Sequence, residues 1–269
     1  MDTRPIPSTG EVLPVIGCGT WQAFDVAPDG ARVATLTRVI GTLLDAGGSM
    51  IDSSPMYGRA EAVVGKCLTA PGTRERAFVA TKVWTRGRQA GIKGMRRSLA
   101  LLGTPRLDLM QIHNLLDWRT HLATLRDWKA EGTIRYLGIT HYTASAHAEL
   151  AEVMRSEPLD FVQVNYSLEE PEAALELLPL AADRGIGVIA NRPFGGGALV
   201  RRLRTQPVPE WAAEYGCRTW SQLLLKHVLA HPAVTCVIPG TGDPDHMAED
   251  CAAGSGPFID SRRLAGMGL

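Results

Sequence analysis

Along the 269-residue chain, short runs of apolar and β-branched residues alternate with longer stretches whose apolar positions recur every three or four residues. Eight runs read as strands: VIGCG (15–19), SMID (49–52), AFVATKV (77–83), LDLMQIH (107–113), YLGIT (136–140), FVQVN (161–165), GVIAN (187–191) and TCVIP (235–239). Between them lie helix-period segments such as ARVATLTRVIGTLLDAG (31–47) and PEAALELLPLAADRG (171–185). The second ends on Gly185, where a helix stop is expected. Strands alternating with helices predict right-handed βαβ units and a parallel sheet. Strands that are apolar throughout predict burial on both faces. Eight such units in about 250 residues predict an α/β fold of the closed (β/α)8 TIM-barrel kind. Ahead of the first barrel strand, RPIPSTGEVLPVIG places two short extended pieces about a Ser8-Thr9-Gly10 turn, which predicts a small N-terminal β-hairpin. No linker, low-complexity tract or repeat interrupts the pattern, so residues 1–269 are expected to form one domain.

Composition narrows the partners. Lys plus Arg equals Asp plus Glu at 28 each, so nothing in the total selects nucleic acid or an anionic membrane. The five cysteines are odd in number, widely spaced and free of any CxxC, which argues against a disulfide framework or a zinc site and for reduced thiols in a cytoplasm. The first residues lack the apolar run of a signal peptide, and no stretch reaches the roughly 18 apolar residues that span a bilayer.

Chemistry in such barrels sits at the C-terminal ends of the strands. The second strand ends at Asp52 and runs through SSPMYG to Tyr57; the third ends at Lys82, the fourth at His113. Taken singly, Asp52 suits a turn, Tyr57 a rim and His113 a structural hydrogen bond. Lys82 is harder to explain so, because a lysine at the end of a buried strand needs a partner, and the chain has only five lysines against 23 arginines. Converging on one rim, the four side chains point to chemistry.

IDSSPMYG (51–58), followed by TKVW (81–84) and QIHN (111–114), resembles the aldo-keto reductase family of nicotinamide-dependent barrel oxidoreductases. The similarity runs from GCGTW (17–21) to IPGTGDPDHMAED (238–250). It implies a hydride transferred from NADPH, or NADH, to an aldehyde or ketone, with Asp52, Tyr57, Lys82 and His113 as the catalytic tetrad. In that reading Tyr57 is the general acid. Lys82 favours its phenolate and so lowers its pKa from near 10, Asp52 holds Lys82 charged, and His113 orients the carbonyl.

The same resemblance implies a cofactor site of Thr20, Trp21, Asp52, Thr140, His141, Gln163, Asn191, Arg192, Pro193, Phe194, Gly195, Gly196, Ile238, Gly240, Thr241, His246, Glu249 and Asp250. Thr140-His141 stands where relatives carry Ser-Asn, and Asn191-Arg192 where they often carry an aromatic ring. Gly240 and His246 stand where many hold the 2′-phosphate of NADPH with a lysine and an arginine, and Asp250 replaces an asparagine. Two cationic phosphate partners are therefore missing, and Arg192, Arg201 or Arg202 is expected to compensate. Trp21, Met56, Tyr57, Trp84, His113 and Leu115 would line an apolar mouth for the substrate. The expected partner is a small-molecule carbonyl compound, with neither nucleic acid, membrane nor metal, and the chain is expected to be a monomer or weak homo-oligomer. Two other readings stay open: a Schiff-base aldolase using Lys82 as nucleophile, and a non-catalytic, nicotinamide-binding regulatory barrel.

Overall fold

A computed structural model describes residues 1–259 together with Arg263 and Leu264. The chain begins with an antiparallel hairpin, β1 (Thr3–Pro5) and β2 (Val12–Pro14). Eight parallel strands follow: β3 (Cys18–Gly19), β4 (Met50–Asp52), β5 (Phe78–Val83), β6 (Leu107–His113), β7 (Ile134–His141), β8 (Phe161–Asn165), β9 (Gly187–Asn191) and β10 (Val234–Val237). Each pairs with the next, and the ring closes where Ile16 bridges Val237 and the Gly19 N–H donates to Pro239 O at 2.9 Å. This is the expected (β/α)8 barrel. The first predicted strand is the poorest match, because only Cys18–Gly19 joins the regular ladder.

The outer helices are α1 (Arg32–Asp45), α2 (Ala60–Cys67), α3 (Arg88–Leu102), α4 (Trp118–Ala130), α5 (His147–Ser156), α6 (Leu177–Arg184), α7 (Ala198–Leu203), α8 (Trp220–Ala230) and α9 (Pro244–Ala252). In α1, Leu36, Val39, Ile40, Leu43 and Leu44 are buried, the three-and-four spacing that lays one stripe on the barrel. The segment predicted as one helix over 171–185 divides into a 3-10 turn, Glu172–Leu175, and α6. Pro179 accounts for the break. It has no N–H to donate to the Leu175 carbonyl four residues back, so the α-helix can begin only when Pro179 falls in its first turn. Gly185 stops α6 as expected, in the left-handed conformation at φ 66°.

Inside the barrel, Met50, Phe78, Ala80, Leu109, Tyr136, Phe161, Ile189 and Cys236 form one apolar cluster with Ile6 and Leu13 of the hairpin, which plugs the N-terminal end. Side chains two apart on a strand share a face. The inward column above that plug therefore continues with Asp52 on β4, Lys82 on β5, Gln111 and His113 on β6, Thr140 on β7, Gln163 on β8 and Asn191 on β9. Hydrophobic filling gives way to polar groups at the C-terminal end, which is where the site lies. All five cysteines are free and buried. Among the described residues no helix is long and apolar enough to cross a membrane. The short tail expected over about 254–269 lies partly outside the described residues.

Candidate active site

Lys82 is fully buried, and its ammonium donates to Asp52 Oδ2 at 2.6 Å and to the Ser53 carbonyl at 2.9 Å. The other carboxylate oxygen, Oδ1, accepts from Gln111 Nε2 at 3.1 Å. The Thr20 hydroxyl, in turn, donates to the Asp52 carbonyl at 3.0 Å. Burial pulls the Lys82 ammonium down, but Asp52 and Tyr57 outweigh it, so the pKa lies above that of an ordinary lysine. Lys82 is thus held as a cation although its side chain is fully buried.

Lys82 Nζ sits 5.2 Å from the centre of the Tyr57 ring, whose edge-to-face partner is His113 at 5.9 Å. Burial pushes the Tyr57 phenol up, Lys82 pulls it down and Asp52 pushes it up, and the net shift is upward. This corrects the expectation of a lowered pKa. The pull of Lys82 is present, but removal of the hydroxyl from water wins, so Tyr57 keeps its proton at neutral pH.

Burial, with lesser help from the charges of Lys82 and His141, drops the His113 pKa to about 3. The ring is neutral, and one of its nitrogens is already engaged: Nδ1 lies 3.0 Å from Ser54 Oγ. The Met56 N–H donates to the same oxygen at 3.2 Å; with the imidazole proton on Nε2, the Ser54 hydroxyl is the donor to Nδ1.

Beside this group opens a cavity of about 310 Å³, lined by Thr20, Trp21, Asp52, Tyr57, Gln163, Asn191, Arg192, Pro193, Phe194, Gly196, Ile238 and Gly240 among others. Among the described residues, three buried polar atoms on its lining residues lack a hydrogen-bond partner: the donors Gln163 Nε2 and Arg192 Nε and the acceptor Asn191 Oδ1. A carboxamide offers the matching acceptor and donor.

The aldo/keto reductase family model matches residues 15–262. The chain belongs to the aldo/keto reductase family. It is 29% identical over 261 residues to methylglyoxal reductase YeaE of Escherichia coli (strain K12), covering 94% of this chain and 89% of that one. To the NADH-specific methylglyoxal reductase of the same strain it is 27% identical, covering 94% and 93%. Among solved structures, an aldo-keto reductase from Klebsiella pneumoniae in complex with NADPH superimposes with a TM-score of 0.82 at 26% identity, over 99% of this chain and 94% of that one.

In this aldo/keto reductase, most residues expected at the cofactor reach the cavity just described, but not all. Thr140 donates to Gln163 Oε1 at 3.4 Å and so sets that amide. His141 has its Nδ1 turned to Thr143, whose N–H lies at 3.2 Å, and stacks on Tyr142; it is not among the cavity-lining residues. Gly195 stands against Glu169 rather than the cavity. Thr241, His246, Glu249 and Asp250 line an adjoining cavity that shares Phe194, Gly197, Arg201 and Gly240 with the first. Of the arginines expected to compensate, Arg202 pairs with Glu169 at 2.5 Å and Arg192 lies 3.6 Å from Glu170, whereas Arg201 lines both cavities.

Of the residues expected at the substrate mouth, Trp21, Met56 and Trp84 are exposed, and the Trp84 ring stands 6.4 Å from that of His113. Leu115 does not join them. Asn114, Leu115 and Asp117 adopt left-handed conformations that turn the chain sharply after β6, and Leu115 is buried in the outer core. Sequence reasoning passed over Gln111 and Ser54. The alternation along LDLMQIH puts Gln111 on the face of His113, and Ser54 lies two residues beyond Asp52; both signals are readable once an inward face is assigned.

Proposed function

We propose that this aldo/keto reductase reduces aldehydes or ketones of modest size, with Tyr57 as proton donor and a nicotinamide dinucleotide, NADPH before NADH, as its cofactor. The observation that carries the proposal is the buried Lys82–Asp52 pair next to a protonated Tyr57 and a neutral His113, all at one end of the barrel. The unpartnered Gln163 Nε2 and Asn191 Oδ1 suit the nicotinamide carboxamide. When bound, the dinucleotide supplies the hydride. The chain's own residues handle the proton and the charge. His113 offers its Nε2–H to the carbonyl oxygen and orients it, and Tyr57 donates its phenolic proton to that oxygen as it becomes an alkoxide. The ammonium of Lys82 offsets the negative charge then left on Tyr57, and Asp52 with Gln111 keeps the ammonium in place. A lysine held as a cation has no lone pair with which to attack a carbonyl, so the same ion pair argues against Schiff-base chemistry at Lys82.

The exposed indoles of Trp21 and Trp84 and the thioether of Met56 give the mouth an apolar rim. Two relatives are named for methylglyoxal reduction, so small 2-oxoaldehydes head the substrate panel. The test is oxidation of NADPH and NADH, followed by absorbance, with methylglyoxal, simple aldehydes and ketones. Carbonyl-dependent oxidation supports the proposal. Tight dinucleotide binding without turnover on any carbonyl would favour a regulatory barrel instead.

A further inference from the structure

The groove beside Tyr57 continues through Phe194, Gly197, Arg201 and Gly240 into the adjoining cavity, which is walled by α7, by the segment before α8 and by α9. Three arginines line that far end. Arg201 lies on α7; Arg204, which follows it, is one helical turn further on and so on the same face; Arg218 comes from the turn that precedes α8. Gly197 makes room for the first, since Arg201 Nη1 lies 3.0 Å from where a Cβ would stand. Among the described residues no ion pair engages any of the three, unlike Arg192 and Arg202 on the same stretch of chain. Two acidic residues line the same cavity: Glu249, whose carboxylate accepts the Thr219 hydroxyl at 2.7 Å, and Asp250, whose carboxyl is held well above the usual carboxylate range by burial, with Glu249 beside it. Val208 and Trp220 add apolar surface to the same cavity.

Three guanidinium groups outside any ion pair among the described residues line one recess, and their planar forks match a phosphate in bidentate fashion. Gly240 and His246 line the same cavity and add neither lysine nor arginine to it. We propose that Arg201, Arg204 and Arg218 form a phosphomonoester site that takes the 2′-phosphate of NADPH, so that selectivity for the phosphorylated cofactor comes from α7 and the approach to α8 rather than from the loop after β10. This rests on the dinucleotide reading above and assigns it residues.

Arg204 and Arg218 are exposed and can be changed without disturbing the core. Binding of NADPH, NADH, 2′,5′-ADP and 5′-AMP to the wild type, Arg204→Ala, Arg218→Ala and the double variant, by calorimetry, tests the assignment. Each single substitution should weaken NADPH and 2′,5′-ADP by about tenfold, a loss of about 1.4 kcal/mol, and the double variant by more. NADH and 5′-AMP should change by less than about twofold on the same scale. An NADPH-to-NADH affinity ratio unchanged in the double variant overturns the site and leaves the dinucleotide reading standing. Wild-type protein that binds neither dinucleotide nor 2′,5′-ADP overturns both.

Discussion

Ser54 Oγ lies 3.0 Å from His113 Nδ1 while accepting the Met56 N–H at 3.2 Å. In the proposed mechanism the serine hydroxyl donates to Nδ1 of the neutral imidazole and so keeps Nε2–H free to meet a carbonyl oxygen. Ser54→Ala should therefore leave the fold intact, let the His113 tautomers mix, and lower kcat/KM by about tenfold, within the range of acid–base positioning effects. Ser54→Thr should restore most of it. Nitrogen NMR of the His113 ring is the check, and an unchanged tautomer in Ser54→Ala would remove Ser54 from this role.

The Lys82–Asp52 pair makes a second prediction, about stability. Replacing Lys82 with Met leaves the Asp52 carboxylate buried without its cation, a change that destabilises by roughly 3–5 kcal/mol. The double variant Lys82→Met/Asp52→Leu removes both charges and should recover much of that stability while remaining inactive. Urea unfolding at one pH measures all three proteins. A single variant no less stable than the double would mean that the carboxylate is not relying on Lys82.

His113 makes the third. Its pKa falls from an unfolded value of about 6.5 to about 3 in the folded chain. Between those values the unfolded chain takes a proton that the native ring refuses, so stability is complete above about pH 6.5 and is lost as the pH falls below it. The slope approaches roughly 1.4 kcal/mol per pH unit. Other buried histidines, such as His227, are shifted in the same direction, so the informative quantity is the difference between wild type and His113→Gln. That difference should shrink in the wild type's disfavour from pH 7 to pH 4; parallel curves would show that His113 is solvated.

The barrel was legible in the chain because all eight strands are short apolar runs set between helix-period segments, and the four reactive side chains stand at strand ends where parity and topology bring them together. What escaped depends on properties that no single residue carries. The helix over 171–185 broke at Glu176, three residues before Pro179, whose effect depends on where within the turn it falls. Leu115 turned into the core because it and its neighbours Asn114 and Asp117 take left-handed conformations, which residue type alone does not announce. Tyr57 rose rather than fell in pKa because depth of burial, set by the whole barrel, outweighed the one cation that sequence could place beside it. Nothing in the sequence singles out Arg204 and Arg218, since only the folded chain brings them to one recess.

The most direct measurement of the account is a single-turnover comparison of wild type with Tyr57→Phe. Both proteins are loaded with NADPH, mixed with methylglyoxal or another small aldehyde, and followed by nicotinamide absorbance while cofactor affinity is titrated separately. Loss of one hydroxyl should leave NADPH affinity within about twofold of wild type, and should slow cofactor oxidation by at least about a hundredfold, because a positioned proton donor contributes about 10²–10⁴. Equal rates in the two proteins would contradict Tyr57 as the acid and, with it, the reading of the site built around it.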